Sequence, residues 1–334
     1  MTARRLANQE ATLVLVIIIA SIAFWLTAPK YLGSANIVAV LTSASTTVVI
    51  GFAQLTCLSV GEMSLAVGGI GAAVTVLGGM LLDQDHVSLA LVAVICLIGG
   101  LLAGLINGLV TARTHLSGFI VTLATGGAYS GLAIGITKSN PYPTVPPALA
   151  TFGQGQWGFI PYLAVAPAVC AVLLFIFYRW RRTGRELLAV GGNRNAAALA
   201  GISVPKATIW AHTLSGVLAA VAAIMFMGVL RQSVPTIGSD WLVSSFAVPI
   251  IGGTLLAGGE ISIGGAVLAA VLLSVISDGL VLVNVSQYIV EMVEGILILA
   301  AVLADRFRLV VRDMSRPARQ LRTIGKATDG GATA

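Results

Sequence analysis

The residues able to do chemistry are few. Three histidines (His86, His115, His212), three cysteines (Cys57, Cys96, Cys170) and the acids Glu62, Asp278, Glu291 and Glu294 stand in a chain that is 57% hydrophobic and 10% charged. A histidine beside a serine or cysteine can activate a nucleophile, and His, Cys and acid side chains together can hold a metal. The required spacings are missing. The sequence has no Gly-x-Ser-x-Gly turn and no His-Glu-x-x-His helix. The histidines lie far apart near the ends of apolar segments, which predicts interfacial polar residues. The cysteines fall inside apolar segments and are expected to be buried thiols. The glycine-rich stretch GGTLLAGG at 252–259 is followed by no Lys-Ser or Lys-Thr, and Gly325-Lys326 has no glycine at the required distance before it. Neither is a phosphate loop. The chain is expected to be no enzyme, with no catalytic, metal or cofactor site of its own.

Acids inside a membrane suggest a different chemistry, because they mark ion and proton pathways. An ion- or proton-coupled secondary transporter is therefore one reading. Against it, Glu62 falls at a helix boundary and Asp278, Glu291 and Glu294 near the outer surface, so no relay crosses the bilayer.

The elements that must position these residues are membrane spans. A soluble domain carries about 25% charged residues, and a bilayer-spanning helix needs about 20 apolar ones. The expected fold is all-α and polytopic, with about ten transmembrane helices at 11–28, 37–58, 63–82, 87–111, 118–137, 160–178, 207–230, 241–257, 262–283 and 287–304. The first follows Arg4 and Arg5, as a secretory signal would, but is long enough to span and is read as uncleaved. With the N-terminus cytoplasmic, sixteen of the 19 Lys and Arg fall on the inside and three, Lys30, Lys138 and Arg231, outside. That bias is the positive-inside pattern. It places both termini in the cytoplasm and assigns the net charge of +6 to topology rather than to nucleic acid. Residues 1–306 form the expected transmembrane domain. The basic tail 307–334 is expected to be disordered, with anionic lipid as a secondary contact.

Two glycine rows recur every fourth residue, Gly100-Gly104-Gly108 and Gly127-Gly131-Gly135. Each predicts a helix face for close packing in lipid, with a pore-lining role as the weaker alternative. The outside loop 138–160 carries four prolines by Pro147, a density that argues against a regular helix. It suits either a connector or a docking surface.

In the inside loop 179–206, Tyr178 and Trp180 are expected at the interface. Asn193 is a good N-cap, alanines follow, and Gly201 with Pro205 can end a helix. The pattern predicts a capped helix over 194–200, about 10 Å long. So short a helix needs a packing partner. It is either a connector or a docking helix for a cytoplasmic protein.

Here the chain resembles permease subunits of bacterial ATP-binding cassette importers, specifically the ribose-type sugar permeases. Their coupling-helix pattern, GR-x-x-x-A-V-G-x-N-x-x-A-A-x-x-x-G-I, is met by Gly184, Arg185, Ala189, Val190, Gly191, Asn193, Ala196, Ala197, Gly201 and Ile202. Three other stretches resemble the family: Asn107 to Ala133, GGTLLAGG, and EGILILAAVLADR at the end. The stretch GEMSLAVG departs from it, with Glu62 where glycine and Ser64 where aspartate is usual. The resemblance implies a bacterial inner-membrane protein that works with a second permease chain, two ATPase subunits that use the ATP, and a periplasmic or lipid-anchored substrate-binding protein. Gly191, Gly192, Asn193, Arg194, Asn195, Ala196, Ala197 and Gly201 are the implied ATPase-coupling residues. Glu62, Ser64, Asn107, Phe119, Thr122 and Thr125 are the candidates for the translocation path. The spans listed above hold no Lys or Arg, and an unpaired buried anion is costly. The expected cargo is a small neutral polyhydroxy solute such as a monosaccharide. Nucleosides, autoinducer-like sugars and branched-chain amino acids are the alternatives within the class.

Overall fold

In the computed structural model, the described residues are 2–28, 30–83, 87–114, 116–286, 288–297, 299–300 and 303. His86, His115 and the tail 307–334 lie outside them, so the expectations for those residues go no further. The helices in chain order are α1 (Thr2–Thr27), α2 (Ser34–Leu58), α3 (Val67–Leu82), α4 (Leu89–Thr114), α5 (Gly118–Thr137), α6 (Pro147–Gln154), α7 (Val165–Trp180), α8 (Arg182–Gly192), α9 (Arg194–Leu199), α10 (Val204–Leu230), α11 (Trp241–Ile251) and α12 (Ile263–Leu282). Residues 288–297 are also helical.

Among the described residues, seven helices are long and apolar enough to cross a membrane. Two of the ten expected spans are shorter. The 16 residues of α3 rise about 24 Å at 1.5 Å each, below the bilayer's ~30 Å. The 11 residues of α11 reach still less far. In α11, Pro249 removes a ladder hydrogen bond and the helix stops at Ile251. The tenth expected span, 287–304, lies partly outside the described residues.

Close backbone approach holds the bundle together, because lipid offers no hydrophobic drive between helices. Added Cβ atoms would lie 2.4 Å from the Gly216 carbonyl oxygen at Gly100, 2.3 Å from that of His212 at Gly104, and 2.8 Å from Ile209 Cα at Gly108. The first glycine row thus seats α4 on α10, antiparallel. The second does not behave this way: nothing among the described residues lies within 4 Å of such an atom at Gly127, Gly131 or Gly135. Its face is open. On the other side of α5, Gly126 meets the chain around Ala66, and Gly69 of α3 meets the Gly126 carbonyl.

At the centre, α2 and α10 bury Phe52, Leu55, Leu58, Met225 and Met227. Outward-facing Leu15 and Ile19 on α1, Val94 and Ile98 on α4, and Leu173 and Phe175 on α7 are exposed, as a lipid-facing surface requires.

The 138–160 loop holds a helix after all. Pro147 occupies the first turn of α6, where its missing N–H would be unpaired in any case. A two-stranded hairpin follows, β1 (Gln156–Trp157) and β2 (Ile160–Pro161).

Candidate functional site

The loop between α7 and α10 is built from two helices rather than one. Gly184 brings α8 back against α7, its Cβ position lying 2.2 Å from the Phe177 carbonyl oxygen. Leu187 and Val190 face inward and are fully buried. Arg182 and Glu186 pair on the outer face at 2.8 Å, a surface i,i+4 contact worth about 0.3–0.5 kcal/mol. Asn193 is extended and separates α8 from α9, and its side chain accepts the Ala196 N–H at 3.0 Å. This is the predicted N-cap, a bond worth about 1 kcal/mol. At the far end Gly201 has φ +79. Its N–H reaches the Ala198 carbonyl at 3.0 Å and the Ile202 N–H that of Ala197 at 2.9 Å, a paired closure that requires a left-handed residue.

Within α9 the side chains divide. Ala197 is 5% exposed and Leu199 is 91% exposed. Asn195, Ala196, Ala198 and Ala200 also face outward. The close approach at Ala197 is therefore to this chain's own body. Trp180 is exposed, but Tyr178, expected at the interface, is buried and donates to the Ser59 hydroxyl at 3.0 Å.

Beneath the loop three backbone segments meet. A Cβ at Gly191 would sit 2.1 Å from the Ser59 carbonyl oxygen and 2.4 Å from the Gly259 nitrogen. One at Gly259 would sit 2.6 Å from Gly192 Cα, and one at Gly258 2.5 Å from the Gly61 nitrogen. The Gly259 N–H bonds to the Ser59 carbonyl at 3.2 Å. Gly61, Gly258 and Gly259 all have positive φ. The glycine stretch 252–259 thus forms part of the seat of the α8–α9 loop. Sequence reasoning identified its glycines without the partners that require them.

Glu62 lies on that seat. Its Oε1 accepts from Arg194 Nη2, the first residue of α9, and its Oε2 accepts the Gly118 N–H, the first of α5, at 2.9 Å. Arg194 also reaches the Val60 carbonyl at 3.4 Å. The side chains are 47% and 10% exposed, Arg194 and Glu62 respectively. The pair therefore falls between the ~0–1 kcal/mol of a surface bridge and the ~3–5 kcal/mol lost when a buried pair is broken. A carboxylate at a helix N-terminus is also favoured by the exposed N–H groups there.

The other path candidates spread out. Ser64 is buried. In the amide orientation that satisfies both groups, Gln54 donates to the Ser64 carbonyl at 2.8 Å and accepts the Ser64 N–H at 3.3 Å. Thr122 accepts the Leu65 N–H at 2.9 Å and donates to the Gly118 carbonyl at 2.5 Å. Glu62, Ser64 and Thr122 are thus gathered around the start of α5. Asn107 is buried and accepts from the Tyr129 hydroxyl at 3.3 Å. Thr125 donates to its own helix at Val121, 3.0 Å away. Phe119 is exposed. His212 is not interfacial: it is buried in α10, its Nδ1 lies 3.6 Å from Cys57 Sγ, and its Nε2 has no hydrogen-bond partner among the described residues.

No group of three or more His, Cys, Asp or Glu able to hold a metal occurs among the described residues. The chain matches, over residues 28–302, the family described as branched-chain amino acid transport system / permease component. It is 32% identical over 281 residues to a ribose import permease protein of Bacillus subtilis, covering 83% of this chain and 87% of that one. It is 30% identical over 303 residues to a D-allose transport system permease protein of Escherichia coli, covering 90% and 92%. An L-arabinose ABC transporter permease protein of Azospirillum brasilense is 28% identical over 308 residues, covering 91% and 89%. A family match over most of the chain, on a bundle of apolar helices, identifies the chain as a multi-pass inner-membrane permease component of this transport family, and not an enzyme.

Proposed function

We propose that the chain moves a small neutral polyhydroxy solute, monosaccharide-like, across the membrane, and that α9 is the helix by which separate ATPase subunits drive it. The observation that carries this reading is α9 itself. It is a six-residue helix capped at both ends and held on a glycine seat, with the apolar Leu199 91% exposed. A large apolar side chain held out on a rigid, seated helix is of the kind that fills a groove on a partner. The relatives named for ribose, D-allose and L-arabinose support the cargo class. The family description names branched-chain amino acids instead, but a path for an amino acid would usually offer its carboxylate a cationic side chain or an exposed helix N-terminus. The expected spans hold no Lys or Arg, and Arg194 is taken by Glu62.

The path is best placed between two permease chains. A cleft of about 310 Å³ between α3, α4 and α5 is lined by side chains such as Ile70, Val74, Leu77, Leu102 and Ile106. Sugar hydroxyls there would go unpaired, at a cost of roughly 1–3 kcal/mol each. The proton-coupled alternative gains nothing from Glu62, since both its oxygens are engaged. A periplasmic or lipid-anchored binding protein would deliver the solute, and two ATPases would close to switch the open side. Reconstitution with the cognate ATPase and binding protein tests this, with uptake measured for pentoses, hexoses, polyols, nucleosides and branched-chain amino acids. Uptake of a sugar or polyol is expected. Uptake of an amino acid and of no neutral polyhydroxy compound would overturn it.

A further inference from the structure

The Glu62 carboxylate ties two helices that share no other hydrogen bond among the described residues. One oxygen holds the arginine that opens α9, and the other closes the N-terminus of α5. Ser117 stands at the N-cap of α5 but gives it no side-chain bond, so Glu62 does the capping from another segment. The residue is fixed by its own surroundings. Gly61 beside it has φ +72, and its Cβ position would lie 2.8 Å from the Ala257 carbonyl oxygen. The Glu62 N–H bonds to the Cys57 carbonyl at 3.1 Å. Gly118 has no room for a side chain, because a Cβ there would sit 2.7 Å from Glu62 Oε2 and 3.2 Å from His212 Nε2.

Each of the two tied helices has a free face, as the lipid-facing α1, α4 and α7 also do. α9 turns Leu199 outward, and α5 meets nothing among the described residues within 4 Å at Gly127, Gly131 and Gly135. A helix packed on one side only can shift more readily than one enclosed in the bundle. A push on α9 must then either carry Glu62 and the start of α5 with it or pull a mostly buried carboxylate off its cation. The second course leaves that charge uncompensated. The carried movement is the easier one.

We infer that Glu62 is a positioning residue that transmits displacement of α9 to α5 through the Arg194–Glu62–Gly118 link. The inference rests on the docking of α9 proposed above. It gives the glutamate, which replaces a glycine usual at this place in the resembling permeases, a mechanical role rather than a place among cargo-contacting groups.

A cysteine replacing Gly127 fits without clash and reports on the open face of α5. In the complex of this chain with its ATPase, its reactivity toward a water-soluble maleimide is measured without nucleotide and with ATP and vanadate, subtracting the reactivity of the parent chain. A nucleotide-dependent change of about fivefold or more is expected, the lower range of a coupled two-site system. In Glu62→Gln, in Arg194→Gln and in the double variant, the change should vanish to the same degree, since each cuts the same link. Arg194→Lys should keep much of it. The ATPase should co-purify with Glu62→Gln. The inference is overturned if the change persists in Glu62→Gln, if the Gly127→Cys chain with Glu62 and Arg194 intact shows none, if the double variant loses more than either single one, or if the loss accompanies loss of the ATPase. Leu199→Glu separates the two readings. If it releases the ATPase while Glu62→Gln leaves the change intact, the link fails and docking stands. If it keeps the ATPase and the full change, docking fails and the link fails with it.

Discussion

Ala197 and Leu199 lie two residues apart and face opposite ways, and that decides which substitution tests docking. An arginine at Ala197, 5% exposed, would break the packing of α9 on its own chain and report on folding. Leu199 contributes nothing to that packing. Changing it to glutamate should leave the amount and melting temperature of the isolated chain within measurement error, since exposed substitutions usually shift stability by less than about 0.5 kcal/mol. It should weaken binding of the ATPase by about tenfold or more, because an apolar anchor in a fitted pocket typically supplies over 1–2 kcal/mol. Co-purification with the ATPase across a salt series measures this. Undiminished binding would overturn the docking of α9 through Leu199. The cap at Asn193 and the glycine stop at Gly201 were legible in the sequence because both are local. The direction of Ala197 was not, since it depends on where α9 lands on α8 and α10.

At the scale of elements, two glycine rows with the same spacing behave differently. The sequence predicted close packing for both. Among the described residues only the row on α4 faces a neighbour, because glycine spacing specifies a smooth face and says nothing of its partner. The difference is measurable. Gly104→Val places a side chain 2.3 Å from the His212 carbonyl oxygen, a backbone atom that cannot step aside. Overpacking of this kind costs about 1–3 kcal/mol, and a fall of roughly 5 °C in melting temperature follows at 2–4 °C per kcal/mol. Gly131→Val meets nothing among the described residues and should melt with the parent. Equal melting of the two variants in detergent would contradict the α4–α10 seat. The α8 helix was missed for a related reason. Its arginines suggested an interfacial loop, although Leu187 and Val190, three apart, carried the signal of an inward stripe. The helix in the 138–160 loop was missed because prolines were counted without regard to position, and Pro147 stands where a helix accepts one.

At the scale of the whole molecule, helix packing and charge sort the chain into the same two ends. The α4–α10 contacts pair Gly108 with Ile209 and Gly100 with Gly216, so Arg113 at the end of α4 lies at the level of Lys206 at the start of α10. Glu62, Arg194 and Gly118 are joined at that end as well. So are Gln9 of α1, beside Gly253, and Glu10, beside Gly264. At the other end Tyr142 pairs with Ser233, which brings Lys138 and Arg231 into one region, and Phe24 of α1 meets Gly279 of α12 a short way before Lys30. Among the described residues, the division of Lys and Arg thus follows the folded ends as well as the order of segments. The physical cause is that cytoplasmic loops retain Lys and Arg during insertion. The end bearing α9 should therefore be cytoplasmic and the β1–β2 hairpin external. Single cysteines at Gln156 and Asn195, both exposed, test this in a chain whose native cysteines are replaced by serine. In intact cells a membrane-impermeant maleimide, given access through the outer membrane, should label the Gln156→Cys chain. The Asn195→Cys chain should be labelled only after the inner membrane is opened. Labelling of both in intact cells would place α9 outside, where no ATPase could reach it.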